Sequence, residues 1–340
     1  MVADEAVRER MKIEEAVVTD EMAGGHYKKI PIGISSCLLG EKVRFDGGHK
    51  NNSYIAKTLG QYFEFQAFCP ELAIGLGIPR KPIRLSRKGS DVIRCIPVDN
   101  PEPDFTEALA KSADDKKQWH SSLCGYILKK DSPSCGMERV KIWDDVMPIR
   151  EGVGIYAGKM MQNFPYLPVE EEGRLGDAVL RENFIQRVFV MRRWFQLVED
   201  GMKLSDLLDF HARHKLIIMS HNQNYNRELG QLLAVARKDN VDEVADQYIV
   251  KLMRTLKIPA TRGNHVNVLQ HIQGYLKKPL DKDDKLELTE TVEKYRLGQL
   301  PLIVPITLLN HFFRKHPDDY ISNSWYMNPY PEEMSLQNHI

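Results

Sequence analysis

The spacing of apolar residues divides the chain into two parts. Between residues 29 and 165, short apolar or alternating runs are separated by turns rich in glycine and proline, a pattern that predicts strands connected by loops and helices. A strand–loop–helix–strand order of this kind favours an α/β domain with a mostly parallel sheet. The clearest runs occupy residues 30–37, 63–69, 91–98 and 124–128.

The second part is predicted to be helical. Beyond residue 178, apolar residues recur at helical spacing, for example at Phe184, Ile185, Val188 and Phe189, and no segment shows the alternation of a strand. We therefore predict an all-α C-terminal domain over residues 178–340. Helices are expected at residues 181–199, 204–219, 226–238, 241–256, 265–277, 288–299 and 306–315.

Two further segments complete the predicted organisation. Residues 1–28 mix charges of both signs and include Gly24-Gly25, which indicates an N-terminal extension. Residues 166–177 combine prolines with acidic residues, and we predict that they form an extended linker between the domains. The α/β domain is predicted to span residues 29–165.

Composition and charge narrow the classes of function. The formal net charge is zero, so a nucleic-acid site has to come from local clustering of basic residues. No apolar run is long enough to cross a membrane, and the N-terminal segment lacks the apolar core of a secretion signal. The chain has five cysteines, an odd number that makes a disulfide framework improbable and favours the reducing cytoplasm.

Three of the cysteines follow predicted strands. Cys37, Cys69 and Cys135 are far apart in sequence, but the carboxyl ends of parallel strands meet at one edge of a sheet, where ligands bind. Three thiolates suit zinc or an iron–sulfur cluster, and the chain has no CxxC pair of the zinc-finger type. Cys95 and Cys124 lie inside apolar runs and are predicted to be buried core thiols. The alternative is that all five cysteines are core residues.

The turn from Lys129 to Gly136 is unusual for a structural cysteine. Pro133 ends the preceding strand, and Gly136 is expected to allow a positive φ directly after Cys135. A thiol on a sharp turn at a strand end is the setting of a metal ligand or a nucleophile, and the local pattern leaves both open.

Several motifs together carry a resemblance to a known family. The first set of motifs is Ser35-Ser36-Cys37-Leu38-Leu39-Gly40, Arg44-Phe45-Asp46-Gly47-Gly48, Cys69-Pro70-Glu71 with Gly77-Ile78-Pro79-Arg80, and Ser132-Pro133-Ser134-Cys135-Gly136. The second set includes His211-Ala212-Arg213-His214-Lys215, Tyr225-Asn226-Arg227-Glu228-Leu229-Gly230, Gly263-Asn264-His265 and Asn328-Pro329-Tyr330-Pro331. Through the first set, about residues 30–165 resemble the thiouracil desulfidase family, formerly DUF523, and through the second set the C-terminal half resembles the domain DUF1722.

The resemblance implies a cofactor and a reaction. Cys37, Cys69 and Cys135 would hold a [4Fe–4S] cluster through three irons, and the fourth iron, without a protein ligand, would bind the sulfur of a thiocarbonyl. Water would then replace that sulfur without net electron transfer. The two-domain architecture resembles bacterial desulfidases that convert 4-thiouridine in tRNA to uridine, so tRNA is the implied partner.

Such a reaction needs a general base near the open iron. Glu71, two residues after Cys69, is the first candidate, and Asp46 on its glycine turn is the second. The alternative role for Asp46 is to stabilise its own turn. Glu64 is a weaker third candidate. Ser36 and Ser134 adjoin implied ligands and are candidates for hydrogen bonds to the substrate, with backbone capping as the alternative.

Basic residues and histidines are the candidates for RNA contacts. A run of cations between Pro79 and Arg94 has one acid, Asp91, and favours either phosphate binding or a solvated loop. The run consists of Arg80, Lys81, Arg84, Arg87, Lys88 and Arg94, and Lys50, Lys129 and Lys130 are expected near the same site. In the helical part, His211, His214, His221, His265 and His271 lie near basic residues and suit contacts with phosphates and base edges, with a zinc site as the alternative. The RNA-binding role of this domain rests on the resemblance.

Three hypotheses therefore stand after the sequence analysis. The first is a desulfidase acting on 4-thiouridine in tRNA, and the second is the same enzyme acting on free thiouracil or thionucleosides. The third is a non-catalytic, metal-stabilised RNA-binding protein. Oligomeric state, the identity of the base and the role of residues 1–28 are left open by the sequence.

Overall fold

The structure is a computed structural model that describes residues 29–87, 92–144, 147–199, 201–334 and 336–338. The predicted extension 1–28, together with Lys88 and Asp91 of the basic run, lies outside the described residues.

The first sheet, sheet A, is parallel throughout and confirms the predicted α/β fold. Its four strands are arranged in the order β2-β1-β5-β8, and each neighbouring pair is parallel. Strand β8 falls inside residues 166–177, so part of the segment for which we predicted a linker joins the sheet at its edge. The strands are β1 (Ile30–Ser35), β2 (Phe63–Phe68), β5 (Gly125–Leu128) and β8 (Val169–Glu171).

A second, mixed sheet was not anticipated. Sheet B has the order β4-β3-β6-β7, with β3 and β6 parallel and both outer pairs antiparallel. Its apolar side chains form a small core around Leu85, Cys95 and Ile142. The strands are β3 (Ile83–Ser86), β4 (Arg94–Pro97), β6 (Val140–Trp143) and β7 (Ile149–Gly152).

Short helices connect the strands of the first part. They are α1 (Pro70–Ala73), α2 (Thr106–Asp114), α3 (Lys117–His120) and α4 (Ile155–Asn163). A 3-10 turn, Ser36–Leu39, follows β1 directly, and a π-helical turn, Tyr54–Thr58, precedes β2.

The remainder of the chain is helical, as predicted, and its described residues beyond Ala178 include no strand. The helices are α5 (Ala178–Glu199), α6 (Leu204–His221), α7 (Gln223–Ala234), α8 (Val241–Lys257), α9 (Arg262–Gln273), α10 (Lys282–Arg296), α11 (Ile303–Lys315) and α12 (Asp319–Ser322). In the described part of the chain, no helix combines the length and the apolar character needed to span a bilayer.

Helix α5 joins the two parts through one hydrophobic core. Phe184, Ile185 and Val188 of α5 are fully buried in the same cluster as Ile32 and Ile127 of sheet A. Gly125 has no side chain at this contact, and a Cβ there would lie 2.8 Å from Val188. The opposite face of sheet A is covered by Tyr156 and Met160 of α4, among others. The parallel sheet is therefore buried on both faces, as such sheets require.

Candidate active site

The carboxyl edge of sheet A brings the three predicted cysteines to one place. Cys37 follows β1, Cys69 follows β2, and Cys135 lies on the turn after β5. All three line one pocket of about 330 Å³, which we call the thiol pocket. The parallel order of the three neighbouring strands explains this meeting, because it places their carboxyl ends side by side.

The turn that carries Cys135 is fixed by hydrogen bonds from the loop and from helix α4. The Ser132 hydroxyl accepts from the backbone nitrogen of Cys135 at 3.1 Å. At the start of α4, Ile155 N donates to Pro133 O at 3.0 Å and Ala157 N donates to Ser134 O at 3.1 Å. The helix thus satisfies free N–H groups of its first turn with carbonyls of the cysteine loop.

Gly136 is required by space and not by a positive φ, contrary to our expectation. The positive φ in this turn belongs to Asp131, at 58°. A Cβ on Gly136 would collide with Val140 and would lie 2.9 Å from Ser132 O. The glycine is therefore needed for the close approach of the chain to β6.

Burial keeps the three thiols protonated in the absence of a cation. Desolvation raises the pKa of Cys37 to about 11 and that of Cys135 to about 12, and it also raises the pKa of Cys69. A nucleophilic cysteine has the opposite property, a lowered pKa. Of the two roles that the sequence left open for Cys135, metal ligand fits this environment better, because coordination itself deprotonates a thiol.

The other two cysteines are core residues, as predicted. Cys95 belongs to the sheet B core and Cys124 to the core beneath α5, and neither is exposed. The thiol pocket therefore has three sulfur donors and no fourth cysteine. Soft sulfur donors suit an iron–sulfur cluster. Among the described residues, no group of three or more His, Cys, Asp and Glu side chains is arranged to hold a single metal ion.

Glu71 lies in the thiol pocket and is tightly held. Its Oε2 accepts from Arg80 Nε at 2.9 Å and from Arg80 Nη2 at 2.7 Å. Its Oε1 accepts from the Ser134 hydroxyl at 2.7 Å. Arg80 is anchored in turn on the carbonyl of Val43 at 2.9 Å. The arrangement gives the pocket an oriented carboxylate with a hydroxyl beside it, which is suitable for accepting and moving a proton.

The structure does not bring Asp46 into the pocket. Its Oδ1 accepts from Gly48 N at 3.0 Å, a bond that lowers the pKa of the Asp46 carboxyl. This is the turn-stabilising role that we considered as the alternative. Glu64 is exposed on β2 and is also not part of the pocket lining, whereas Ser36 is buried and does line it.

Comparison with known proteins matches each part of the chain to a family. Residues 32–172 match a family model described as "2-thiouracil desulfurase". Residues 215–331 match "Protein of unknown function (DUF1722)".

The chain belongs to the 2-thiouracil desulfurase family.

Its helical part carries the DUF1722 domain, so both resemblances inferred from the motifs are confirmed. Membership of this family identifies the chain as a desulfidase. It is 32% identical over 152 residues to YbgA of Escherichia coli strain K12, covering 44% of this chain and 90% of that protein. It is also 32% identical over 110 residues to YbbK of Bacillus subtilis strain 168, covering 30% of this chain and 71% of that protein. Both relatives are described as uncharacterized.

A solved structure of a "[4Fe-4S]-dependent thiouracil desulfidase", TudS, is also similar. Its sequence is 28% identical, and the alignment covers 44% of this chain and 95% of that one, with a TM-score of 0.36.

More cationic than acidic residues line the thiol pocket. Its cationic lining residues are Arg44, Lys50, Arg80, Lys129 and Lys130, and four of them pair with acids. Arg44 pairs with Asp46, Arg80 with Glu71, Lys129 with Glu172 and Lys130 with Asp131. The three lysines that we expected near the site are therefore there. An excess of cations at a pocket that also presents thiols favours anionic ligands and substrates.

The basic residues after Pro79 are less available for binding phosphate than the sequence indicates, because several of them form ion pairs. Lys81 pairs with Asp99, Arg87 with Asp144 and Glu151, and Arg94 with Asp104 and Glu102. Arg80 is used to hold Glu71, a role that the sequence analysis missed. The signal was present in the Gly77-Ile78-Pro79-Arg80 motif, but nothing in the sequence shows which acid the arginine contacts.

Of the five histidines that we expected to contact RNA, His214 and His221 are buried, His211 and His265 are partly buried, and His271 is exposed. Contact with RNA stays a prediction. His214 donates from Nδ1 to Phe210 O at 2.7 Å, and His221 contacts Ile258 O through Nδ1 at 2.5 Å. Desolvation lowers the pKa of His211 and of His221 to about 4. These side chains are therefore neutral near pH 7 and are not cationic partners for phosphate.

Proposed function

We propose that the chain removes sulfur from 4-thiouridine in tRNA, using a [4Fe–4S] cluster held by Cys37, Cys69 and Cys135. The observation that supports this most is the meeting of three thiols from three parallel strands in one pocket, with the remaining two cysteines elsewhere in the core. With Cys37, Cys69 and Cys135 as its three protein ligands, the cluster would keep one iron open to a substrate. The cluster would supply a thiophilic Lewis acid at that position.

In this proposal, residues of the thiol pocket carry out the proton transfers that desulfidation requires. In the overall reaction, the oxygen of water replaces the sulfur of the thiocarbonyl, hydrogen sulfide leaves, and no electrons are transferred. In this proposal Glu71 would accept a proton from the attacking water, and the Ser134 hydroxyl, which donates to Glu71, would orient that water. Arg80 holds the carboxylate in place through two charge-assisted hydrogen bonds.

Two observations bear on the substrate. The cationic residues that line the thiol pocket favour a substrate with phosphates, such as tRNA. The pocket volume of about 330 Å³ is at the small end of the range for ligand sites, so it suits a single base and not a folded stretch of RNA. A tRNA substrate would have to present 4-thiouridine out of its stack. Free thiouracil, the second candidate, fits the same volume without that step.

Comparing substrates on one preparation of enzyme tests the proposal. The full chain, loaded with iron and sulfide without oxygen, is incubated with 4-thiouridine-containing tRNA, with 4-thiouridine and with 4-thiouracil, and the released sulfide is measured. We expect release from all three, and the highest kcat/KM with tRNA. Release from the free base alone would replace tRNA by thiouracil as substrate, and release from none would remove the proposed activity.

A further inference from the structure

The helical part contains a second pocket that desulfidation does not use. It has a volume of about 270 Å³ and lies between α5, the end of α6, the start of α9 and the end of α10. We call it the helical pocket, and it shares no lining residue with the thiol pocket. Polar residues in its wall are Glu182, Asn183, Gln186, His221, Arg262 and His265.

One wall of the helical pocket is a stripe of polar side chains on α5. Asn183 and Gln186 are buried, although they face a cavity in a mostly apolar bundle. Asn183 donates to Leu256 O at 2.7 Å and accepts from Arg187 at 3.1 Å, and Gln186 contacts His221 at 2.7 Å. Burying amides has a free-energy cost, and these bonds fix their direction. A wall of oriented amides is suited to reading the edge of a ligand.

Two motifs of the DUF1722 domain support this same pocket. Tyr330, from the Asn328-Pro329-Tyr330-Pro331 motif, donates its hydroxyl to Glu182 at 2.7 Å. In the Gly263-Asn264-His265 motif, Asn264 donates to His221 O at 3.0 Å and His265 is part of the lining. Segments far apart in sequence therefore position its walls.

The opposite side of the helical pocket presents a flat cation and an aromatic ring. The guanidinium of exposed Arg262 lies 5.8 Å from the centre of the Tyr295 ring, at the first residue of α9. It passes over Gly298, whose φ of +74° and lack of a side chain leave room for it. Planar rings stack on tyrosine and arginine, and an arginine at a helix start also attracts phosphate.

We propose that the helical pocket binds a single nucleotide. The base would lie between the amides of α5 and the Tyr295–Arg262 side, with its polar edge facing Asn183, Gln186 and Glu182 and its phosphate at Arg262. Amide and carboxylate side chains are the groups that pair with base edges. The nucleotide is either one residue of an RNA chain or a free nucleotide, and both have this chemistry.

The position of the helical pocket favours one residue of the substrate RNA, and not a free nucleotide, as the bound nucleotide. This step rests on the proposed function. Helix α5 begins shortly after β8 ends, and Val188 further along α5 packs against Gly125 at the start of β5. The first turns of α5, which line the helical pocket, therefore lie toward the carboxyl edge of sheet A, where the thiol pocket is. We therefore expect one RNA to contact both pockets.

Two variants test the site while leaving its amides in place. Arg262→Gln removes the cation, and Ala260→Phe, at a lining position on the loop before α9, fills the cavity. Arg314→Gln removes the same charge at an exposed position on α11 and serves as the control. Binding of the four 5′-nucleoside monophosphates is measured by calorimetry and binding of bulk tRNA by fluorescence anisotropy, on the iron-loaded full chain. Thermal unfolding checks that each variant is folded.

We expect both pocket variants to weaken binding about tenfold, the loss of one charge-assisted contact or one stacked base, while the control does not. Weaker tRNA binding identifies the source as RNA, and an effect on monophosphates alone identifies a free nucleotide. If no monophosphate binds and tRNA binding by both variants equals that of the control, the proposal is overturned. Sulfide release from free 4-thiouracil is measured in parallel and should not change, so failure of the desulfidase proposal is seen separately.

Discussion

At the level of single residues, Glu71 is the carboxylate of the thiol pocket that hydrogen bonds hold in a fixed orientation. Its two oxygens accept from Arg80 and from Ser134, and only 14% of its side chain is exposed. The position of Glu71, two residues after Cys69, was enough to predict its place in the pocket. The arginine that holds it was not predictable, because the nine-residue separation in sequence is bridged by a loop whose course the sequence pattern does not specify.

Replacing the carboxylate of Glu71 distinguishes its role as a base from the role of the three thiols in holding iron. Glu71→Gln keeps the size and one acceptor oxygen but removes the base, and we expect sulfide release to fall about a hundredfold or more, as for other general bases. Iron content should equal that of wild type, because the three cysteines are intact. The assay is initial-rate sulfide release from 4-thiouracil, with iron counted on the same sample.

The matched control for Glu71 is Glu64→Gln, which changes the same functional group on exposed β2, outside the pocket. Its rate should be that of wild type. An equal loss of activity in the two variants, or full activity of Glu71→Gln, would remove Glu71 from the chemistry.

The sequence made Asp46 a candidate base but could not show whether its side chain faces the thiol pocket. A carboxylate on a glycine turn is a candidate base by residue type, but the same turn offers it the backbone nitrogen of Gly48. The local bond prevails because it needs no movement of the chain, and the side chain stays outside the thiol pocket. Predicting which of two chemically suitable acids faces a pocket requires the course of the backbone, which residue types alone do not give.

At the scale of elements, helix α4 and the Cys135 turn form one unit. A Cβ on Gly154, the residue before α4, would lie 2.6 Å from the carbonyl carbon of Ser134 and 2.7 Å from Gly136 N. The backbone φ of Gly154 is −59°, so the glycine is needed for space alone. The sequence indicated a helix after Gly154, but it gave no indication that the helix start packs against the cysteine turn.

A methyl group at Gly154 is therefore expected to displace the cysteine turn. Gly154→Ala should destabilise the iron-free chain by about 1–3 kcal/mol, the usual cost of overpacking, and should lower the iron retained after reconstitution. Chemical denaturation and iron analysis measure the two effects. Gly230→Ala on α7, where no atom lies within 4 Å of the added carbon, is the control and should be neutral or slightly stabilising. Equal stability and iron content in both variants would contradict the tight packing.

Element type was easier to predict than element placement. The helical spacing beyond residue 178 predicted α5 to α11 because amphipathic helices of this length have a strong period. The run at residues 91–98 was correctly read as a strand, but β4 belongs to sheet B, because pairing partners depend on contacts distant in sequence. Strand β8 is only three residues long and follows a proline, so it resembled a linker.

At the level of the whole molecule, the α/β part and the helical part share one hydrophobic core, so neither is expected to stay stable when the other is deleted. The buried face of α5 shares one hydrophobic core with Ile32 and Ile127 of sheet A. Removing residues 178–340 would remove α5 and expose the apolar face of sheet A that it covers, so a truncated chain would report on stability as well as on RNA binding. Point variants such as those at Arg262 and Ala260 are the better way to test the helical part.

If Cys37, Cys69 and Cys135 act together in desulfidation, each of them is required for sulfide release, which single cysteine variants measure. Each Cys→Ala variant is reconstituted without oxygen and assayed with 4-thiouracil, with Cys95→Ala, a core thiol of sheet B, as the control. We predict that wild type and Cys95→Ala release sulfide at similar rates, whereas each of the three pocket variants releases none above background. Release at the wild-type rate by any of the three, or an equal loss in Cys95→Ala, would contradict the account.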